Sequence, residues 1–369
     1  MKDINLREIM TNRNPIIEID INNKIFKIQT IGDPHFGKSF KTGINTSKIG
    51  IREELQFNDF INLLNTPDVS EYIIMGDLFD KFNISNEILL KVYNSLIESF
   101  KDRPEVKCHI LCGNHDLSKN KNKNSSFEVL KYLIDSNSDI DNIFIYTEPC
   151  LYNYKDNVYF YFDAYNPFYQ DSEINISLPE IENFKLYSFG HWDDPRQSTG
   201  YLPSQTLLDG SVMLVSGHYH VPERFTHKGI PFVYTGSLQP YSHAEDPDKI
   251  LYETFDYLDL ENIFTELDGF NELVHQSTID NLKLKNVRIN CYPGYIFPHN
   301  LDSLSFIYNN IYQNQNSEVT QETDNSTITD FTTMYLMKLK TEHEIEDKVL
   351  IQINNFLKDI DSDVSIDFD

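Results

Sequence analysis

Asp33, His35, Asp77, Asn114, His191, His218 and His220 are residue types that bind metal ions, and each lies within three residues of a glycine that closes a short apolar run. The runs are Phe26–Ile31, Tyr72–Met75, Cys108–Cys112, Leu186–Phe189 and Val212–Ser216. They lead into Gly32-Asp33-Pro34-His35, Gly76-Asp77-Leu78-Phe79-Asp80, Gly113-Asn114-His115-Asp116, Gly190-His191 and Gly217-His218-Tyr219-His220. Short apolar runs stopped by glycine read as buried strands, so the candidate ligands fall at strand ends, where glycine permits a sharp turn and close approach to a bound group. Three oxygen donors and four imidazoles exceed what one ion needs. They suit two ions roughly 3.5–4 Å apart, the spacing that clamps the attacking and leaving oxygens of a phosphoryl displacement. Mixed oxygen and nitrogen donors favour Mn²⁺, Fe or Zn over Ca²⁺ or an all-oxygen Mg²⁺ site. His218 and His220 are two apart, so both face one way in an extended segment, and Asp33 and His35 share that spacing.

The elements that must position these residues follow from the pattern. Strands near 24–32, 71–76 and 106–112 alternate with amphipathic stretches at Ile51–Leu64 and Glu87–Phe100. That rhythm predicts a parallel sheet with its ligands gathered beyond the carboxyl ends of the strands. From 142 to 256 the runs NIFIYTE, NVYFYFDA, KLYSFG, SVMLVSG, PFVYTG and KILYETFD predict a second, more antiparallel sheet packed on the first. The stretch 164–182 reads as a surface loop near the site.

Residues 1–23 read as an N-terminal extension, 24–256 as the catalytic domain and 257–280 as a connector. Residues 281–369 read as a small α/β capping and partner domain, with a strand in LKLKNVRINC, a helical stretch at Leu301–Tyr312 and a flexible polar insert at 313–326. TMYLMKLKT, a helix at Ile345–Ile360 and a last strand in VSIDFD would complete it.

The net charge of the 369-residue chain is −26, which argues against a surface that binds nucleic acid all over. Bound divalent cations would invert the field locally. Cys108, Cys112, Cys150 and Cys291 form no regular framework, so reduced cysteines are expected, and with them a cytoplasmic setting. No apolar stretch reaches the ~18 residues of a membrane span, and the start lacks the apolar core of a signal peptide.

Taken together, the five motifs, in this order, resemble those of the calcineurin-like metallophosphoesterase superfamily over residues 25–256. The resemblance implies a four-layer α/β/β/α sandwich. It also implies that Asp33, His35 and His220 serve a first metal, that Asn114, His191 and His218 serve a second, and that Asp77 bridges them. His115 would contact the substrate phosphate or protonate the leaving oxygen, held by Asp116 or Asp80. Phe79 in GDLFD, the GNHD ending in Asp116, the GHW at 190–192 and GHYH followed by YTGSLQP resemble the SbcD-like nuclease subunits of double-strand-break repair, above all those of T-even-type phages. Where cellular members place a histidine after that Phe, this chain has Asp80, as the phage-type members do, and the balance of exonuclease to endonuclease activity stays open.

This resemblance implies a nuclease requiring two divalent ions, Mn²⁺ first, with Fe, Zn or Mg as alternatives. The implied partners are DNA, a coiled-coil ABC-type ATPase and a second copy of the chain. Lys119, Lys121 and Lys123 could grip DNA phosphates or form a solvated loop. Trp192 could stack on a base or pack beneath the ligand loop. The competing reading is a phosphatase or phosphodiesterase acting on small molecules, nucleotides or phosphoproteins.

Overall fold

In the computed structural model, which describes residues 13–40, 48–120, 122–166, 168, 183–197, 200–256, 258, 285–291 and 307–312, the chain opens with an antiparallel hairpin. Its strands are β1 (Ile16–Ile21) and β2 (Lys24–Ile31). Asn22 and Asn23 turn it with φ of 55° and 64°, values that asparagine tolerates and that match the twist of the strands. β2 then pairs in parallel with β3 (Glu71–Ile74), β3 with β4 (Lys107–Leu111), and β4 with β5 (Ile143–Tyr146). The crossovers are helices α1 (Ile51–Leu64), α2 (Asn86–Phe100) and α3 (Ser126–Asp135). A capping box starts α3: Ser125 Oγ accepts from the Glu128 amide at 3.2 Å, and the Glu128 carboxylate accepts from the Ser125 amide at 2.6 Å. Two such donors would otherwise be left unpaired at a helix start.

The second sheet runs β10-β11-β9-β8-β7-β6, with β6 at Cys150–Lys155, β7 at Val158–Asp163, β8 at Lys185–Gly190, β9 at Ser211–Ser216, β10 at Glu223–His227 and β11 at Ile230–Tyr234. A short helix, α4 (Gln205–Gly210), precedes β9. Only the edge pairs β6–β7 and β10–β11 are antiparallel; β7, β8, β9 and β11 are parallel.

Alternation along the strands builds three apolar layers. Tyr72 and Ile74 of β3 face Phe60, Leu96, Phe100 and Leu130 of the helices. Ile73, on the opposite face of β3, and Met75, just beyond it, meet Phe160, Phe162 and Phe189 of the second sheet. Tyr159 and Tyr161 of β7 face outward to Leu207 and Leu208 of α4 and to Trp192. Three buried layers require four layers of elements, so the fold is the α/β/β/α sandwich. Both sheets are apolar on both faces, which is why β3 and β7 read as continuous apolar runs.

Several assignments change. Residues 16–21, placed in the extension, are an edge strand of the first sheet. NIFIYTE supplies β5 of the first sheet, since α3, not anticipated from the sequence, returns the chain there. KILYETFD contributes β12 (Tyr252–Asp256) not to the second sheet but to a third one, where it pairs in parallel with β13 (Asn286–Cys291), and β13 with β14 (Ile307–Tyr312). β14 occupies the stretch expected to be helical, and its isoleucine and tyrosine content suits a strand better. The elements expected beyond residue 312, and most of the loop at 164–182, lie outside the described residues.

Candidate metal centre

Each ligand candidate leaves a parallel strand at its carboxyl end: β2, β3 and β4 in the first sheet, β8 and β9 in the second. The turns are tight. Asp33, His35, Asp77 and His218 adopt φ of 31°, 48°, 43° and 75°, a left-handed region that costs roughly 1–3 kcal/mol for a residue with a side chain and that collects at functional sites. Two glycines make room for them. A Cβ on Gly113 would collide with the backbone and carboxylate of Asp77, and one on Gly76, at φ 106°, would fall on the His191 ring.

Backbone hydrogen bonds lace the first two turns together: the His35 and Phe36 amides donate to the carbonyls of Asp77 and Leu78 at 2.8 and 2.9 Å. Asp116 joins the third turn to them. Its carboxylate is fully buried and accepts from the amides of Leu78, Phe79 and Gly113 at 3.2, 2.9 and 2.9 Å. Burial and the charge of Asp77 push its pKa up to about 8, against those three donors. Its role is therefore to fasten turns. Of the two residues that the resemblance offered for holding His115, it is Asp80 that does so: the ring donates through Nδ1 to the backbone carbonyl of Asp80 at 2.7 Å. The Asp80 carboxylate instead lies between His35 Nδ1 and Lys38 Nζ, at 3.6 and 3.7 Å.

Two donor groups share Asp77: one is Asp77, His191 and His218, the other His35, Asp77 and His115, the atoms within each lying no more than 4.8 Å apart. Asn114 Oδ1 completes the first group, 2.9 Å from His191 Nε2 and 3.1 Å from His218 Nδ1. Asp33 and His220 flank the second. His220 Nε2 lies 3.1 Å from His35 Nε2, and Asp33 Oδ2 is buried without a hydrogen-bond partner. All seven expected ligands thus converge at one place.

The imidazoles are set up as ligands. His191 donates through Nδ1 to the Met75 carbonyl at 2.9 Å, His218 through Nε2 to Asp193 at 3.1 Å, and His220 through Nδ1 to Glu245 at 3.2 Å. Each bond fixes a tautomer and turns the other nitrogen into the site, as at metal centres generally. These orienting groups were not identified from the sequence. Asp193 stands two residues after His191, a visible if weak signal, whereas nothing in the sequence ties Glu245 to His220. Tyr241 was missed as well; its hydroxyl donates to the carbonyls of Asp33 and Pro34 at 2.8 and 2.7 Å.

The donor set fits a pair of divalent cations. Burial, aided by neighbouring cations, lowers His35 to about 3, so it is a neutral imidazole. His191 behaves oppositely: burial disfavours its charge, but Asp77 and Asp33 outweigh that and raise it to about 10. A proton on His191 Nε2 thus occupies the position a metal would take. Loading at pH 7.5 should release about one proton from His191, and affinity should rise with pH until that group titrates. Calorimetry in two buffers of different ionisation enthalpy measures this, and no proton release would exclude His191 as a ligand.

The weaker substrate candidates separate. Trp192 is fully buried, packs on Phe232 and donates from Nε1 to Asp163 at 2.7 Å; it supports the ligand loop and cannot stack on a base. Trp192→Phe should lower stability by about 1–3 kcal/mol, through the lost donor to a buried carboxylate, which thermal melting would check. Lys119 and Lys123 are exposed and Lys121 lies outside the described residues. His109 is a packing residue, bonded to Glu71 and Tyr146 at 2.9 Å each.

A family model for the calcineurin-like phosphoesterases matches residues 26–322, and the chain belongs to that family. Its chemistry is the hydrolysis of phosphoester bonds, and the convergent donors make the chain a metal-binding member. No curated protein sequence matches the chain. Among solved structures it is similar to GAP50, the anchor in the inner membrane complex of Plasmodium, at 14% identity and a TM-score of 0.32 over 58% of this chain and 72% of that one. It is also similar to the phosphopantetheinyl hydrolase PptH from Mycobacterium tuberculosis, at 12% identity and 0.33 over 58% and 93%. Among the described residues, no helix is long and apolar enough to cross a membrane.

Proposed function

We propose that this chain is the nuclease subunit of an SbcCD-like recombination and double-strand-break processing complex, hydrolysing phosphodiester bonds of DNA with two divalent ions, Mn²⁺ first. The observation that carries the hydrolytic part is the pair of donor groups joined at Asp77, one of them including the exposed His115. DNA as substrate is supported by GDLFD, GHW and GHYH–YTGSLQP, which resemble the SbcD-like branch.

Asp33, His35, Asp77 and His220 would hold one ion, and Asp77, Asn114, His191 and His218 the other. When bound, such ions supply charge neutralisation at the phosphoryl oxygens and an activated water. The residues of the chain do the rest. Met75, Asp193 and Glu245 keep the ligand nitrogens aimed. His115, its Nδ1 proton committed to the Asp80 carbonyl, presents Nε2 outward, where a protonated nitrogen can hand its proton to the leaving oxygen. Lys119, Lys121 and Lys123 would meet flanking phosphates.

The implied assembly is a dimer with a coiled-coil ABC-type ATPase in the cytoplasm. A second reading, a phosphodiesterase for small molecules or nucleotides, is favoured by the net charge of −26. Digestion of linear duplex DNA, single-stranded DNA and a small chromogenic diester in Mn²⁺, Mg²⁺ or EDTA separates them. DNA cleavage in Mn²⁺ is expected. Turnover of the diester with DNA left intact, even after the ATPase and ATP are added, would overturn the nuclease.

A further inference from the structure

Arg13 and Asn14 belong to the stretch that reads as an extension outside the catalytic domain, yet both are buried. The Arg13 guanidinium donates through Nη1 to the backbone carbonyl of His220 at 2.5 Å and to Ser237 Oγ at 3.1 Å, and through Nη2 to the carbonyl of Glu245. Glu245 is the residue whose carboxylate takes the Nδ1 proton of His220. One planar fork therefore fixes both a ligand residue and the group that orients it, which a compact ammonium could not do. Its hydrogen-bond acceptors are neutral oxygens, while the nearby carboxylates of Asp246 and Glu245 balance its charge, so the fork's geometry serves to hold the segments that carry those oxygens.

Asn14 extends the same device to the other side of the site. Its Oδ1 accepts from the Gly32 amide at 2.8 Å, directly before Asp33, while its Nδ2 donates to the Leu238 carbonyl at 3.2 Å and its own amide to Thr235 at 2.9 Å. With φ of 50°, it turns the chain so that side chain and backbone reach both segments. The turn holding Asp33 and the segments around His220 are thus pinned by two adjacent residues, with 18 positions between Asn14 and Gly32 and 207 between Arg13 and His220. By contrast, the side chains of Asn114, His191 and His218 bond to one another, to Met75 and to Asp193, and reach the strap only through Asp33, which accepts from the His218 amide at 3.1 Å.

We propose that Arg13 and Asn14 form a positioning strap for one half of the metal centre. The strap sets His220, Glu245 and the Asp33 turn, and so governs first the ion held with His35. This rests on the two-ion reading above.

The test is a Co²⁺ titration of the metal-free, full-length protein, followed by visible absorption and calorimetry, with His220→Ala marking the step that belongs to His220. The wild type should bind in two steps. Arg13→Met should weaken the marked step about 10–100-fold, the usual range when an orienting partner is lost, and leave the other within about twofold. Arg13→Lys should recover part of the loss, and Asn14→Ala should weaken the same step less. Should Arg13→Met fail to fold, Arg13→Lys carries the comparison, since one ammonium cannot span both carbonyls. Equal weakening of both steps, or an unchanged titration in a folded variant, would overturn the strap. A wild type that takes up fewer than two ions would overturn the two-ion reading and the strap with it.

Discussion

Asp77→Asn should abolish phosphoesterase activity, by about 10³-fold or more, and strip metal from the protein rather than merely slow it. Asp77 is the only residue common to both donor groups. Its Oδ2 lies 3.2 Å from His191 Nε2 and 3.6 Å from His35 Nε2, and its Oδ1 accepts from the His115 amide at 2.8 Å. Its charge is held well below the usual carboxylate range: burial opposes ionisation, but His191 and His35 outweigh it. Asparagine keeps the shape and one acceptor but removes the charge that compensates two cations, and its amide has no acceptor on the ligand side. Losing one preorganised charge contact alone costs about 10²–10³ in rate; here the loss touches both ions. Metal analysis after dialysis would decide. Two ions retained at wild-type affinity would show that Asp77 does not bridge.

His115→Ala should lower turnover about 10²–10⁴-fold, the usual contribution of a positioned acid, with both ions still bound. The geometry makes this a sharp test, because His115 also lies within ligand reach of His35 and Asp77, its ring 4.9 Å from that of His35. Exposure separates the roles. His35 and His191 are buried, whereas His115 is exposed and so accessible to a substrate. If metal content falls together with activity, His115 is a ligand and the leaving group takes its proton from elsewhere.

What could be read from the sequence depended on how local the causing physics was. Helix α1 spans the residues that the apolar spacing picks out, and β2, β3 and β4 lie within the strands read from their runs. All seven candidate ligands were legible because each follows a strand and a glycine, a signal contained within a few residues. Strand β1 was not, since IIEIDI becomes a strand only once β2 folds back on it. The parallel core of the second sheet was likewise hidden, because period-2 alternation says nothing about strand direction. Arg13, Asp193 and Glu245 show the limit at the site. Each acts on a histidine through one contact, and for Arg13 and His220 the partners are 207 residues apart. Trp192 was undecided because a lone tryptophan beside a ligand loop packs or stacks according to which face of the sheet it meets.

The ligands leave two different sheets, and that has a consequence for how the protein is made. His35 and His220, whose ring nitrogens face each other, are separated by 185 residues. Contacts of that span form late, after the entropy of closing the chain has been met. Neither sheet alone carries both donor groups: the first, though it holds His35, Asp77 and His115, lacks every nitrogen donor of the Asn114 group, and the second lacks Asp77. A nascent or partly folded chain therefore lacks the two-ion site, and full uptake waits for the docking of the two halves. Metal loading would then serve as a checkpoint on maturation, with hydrolytic power withheld from any copy whose halves have not yet met.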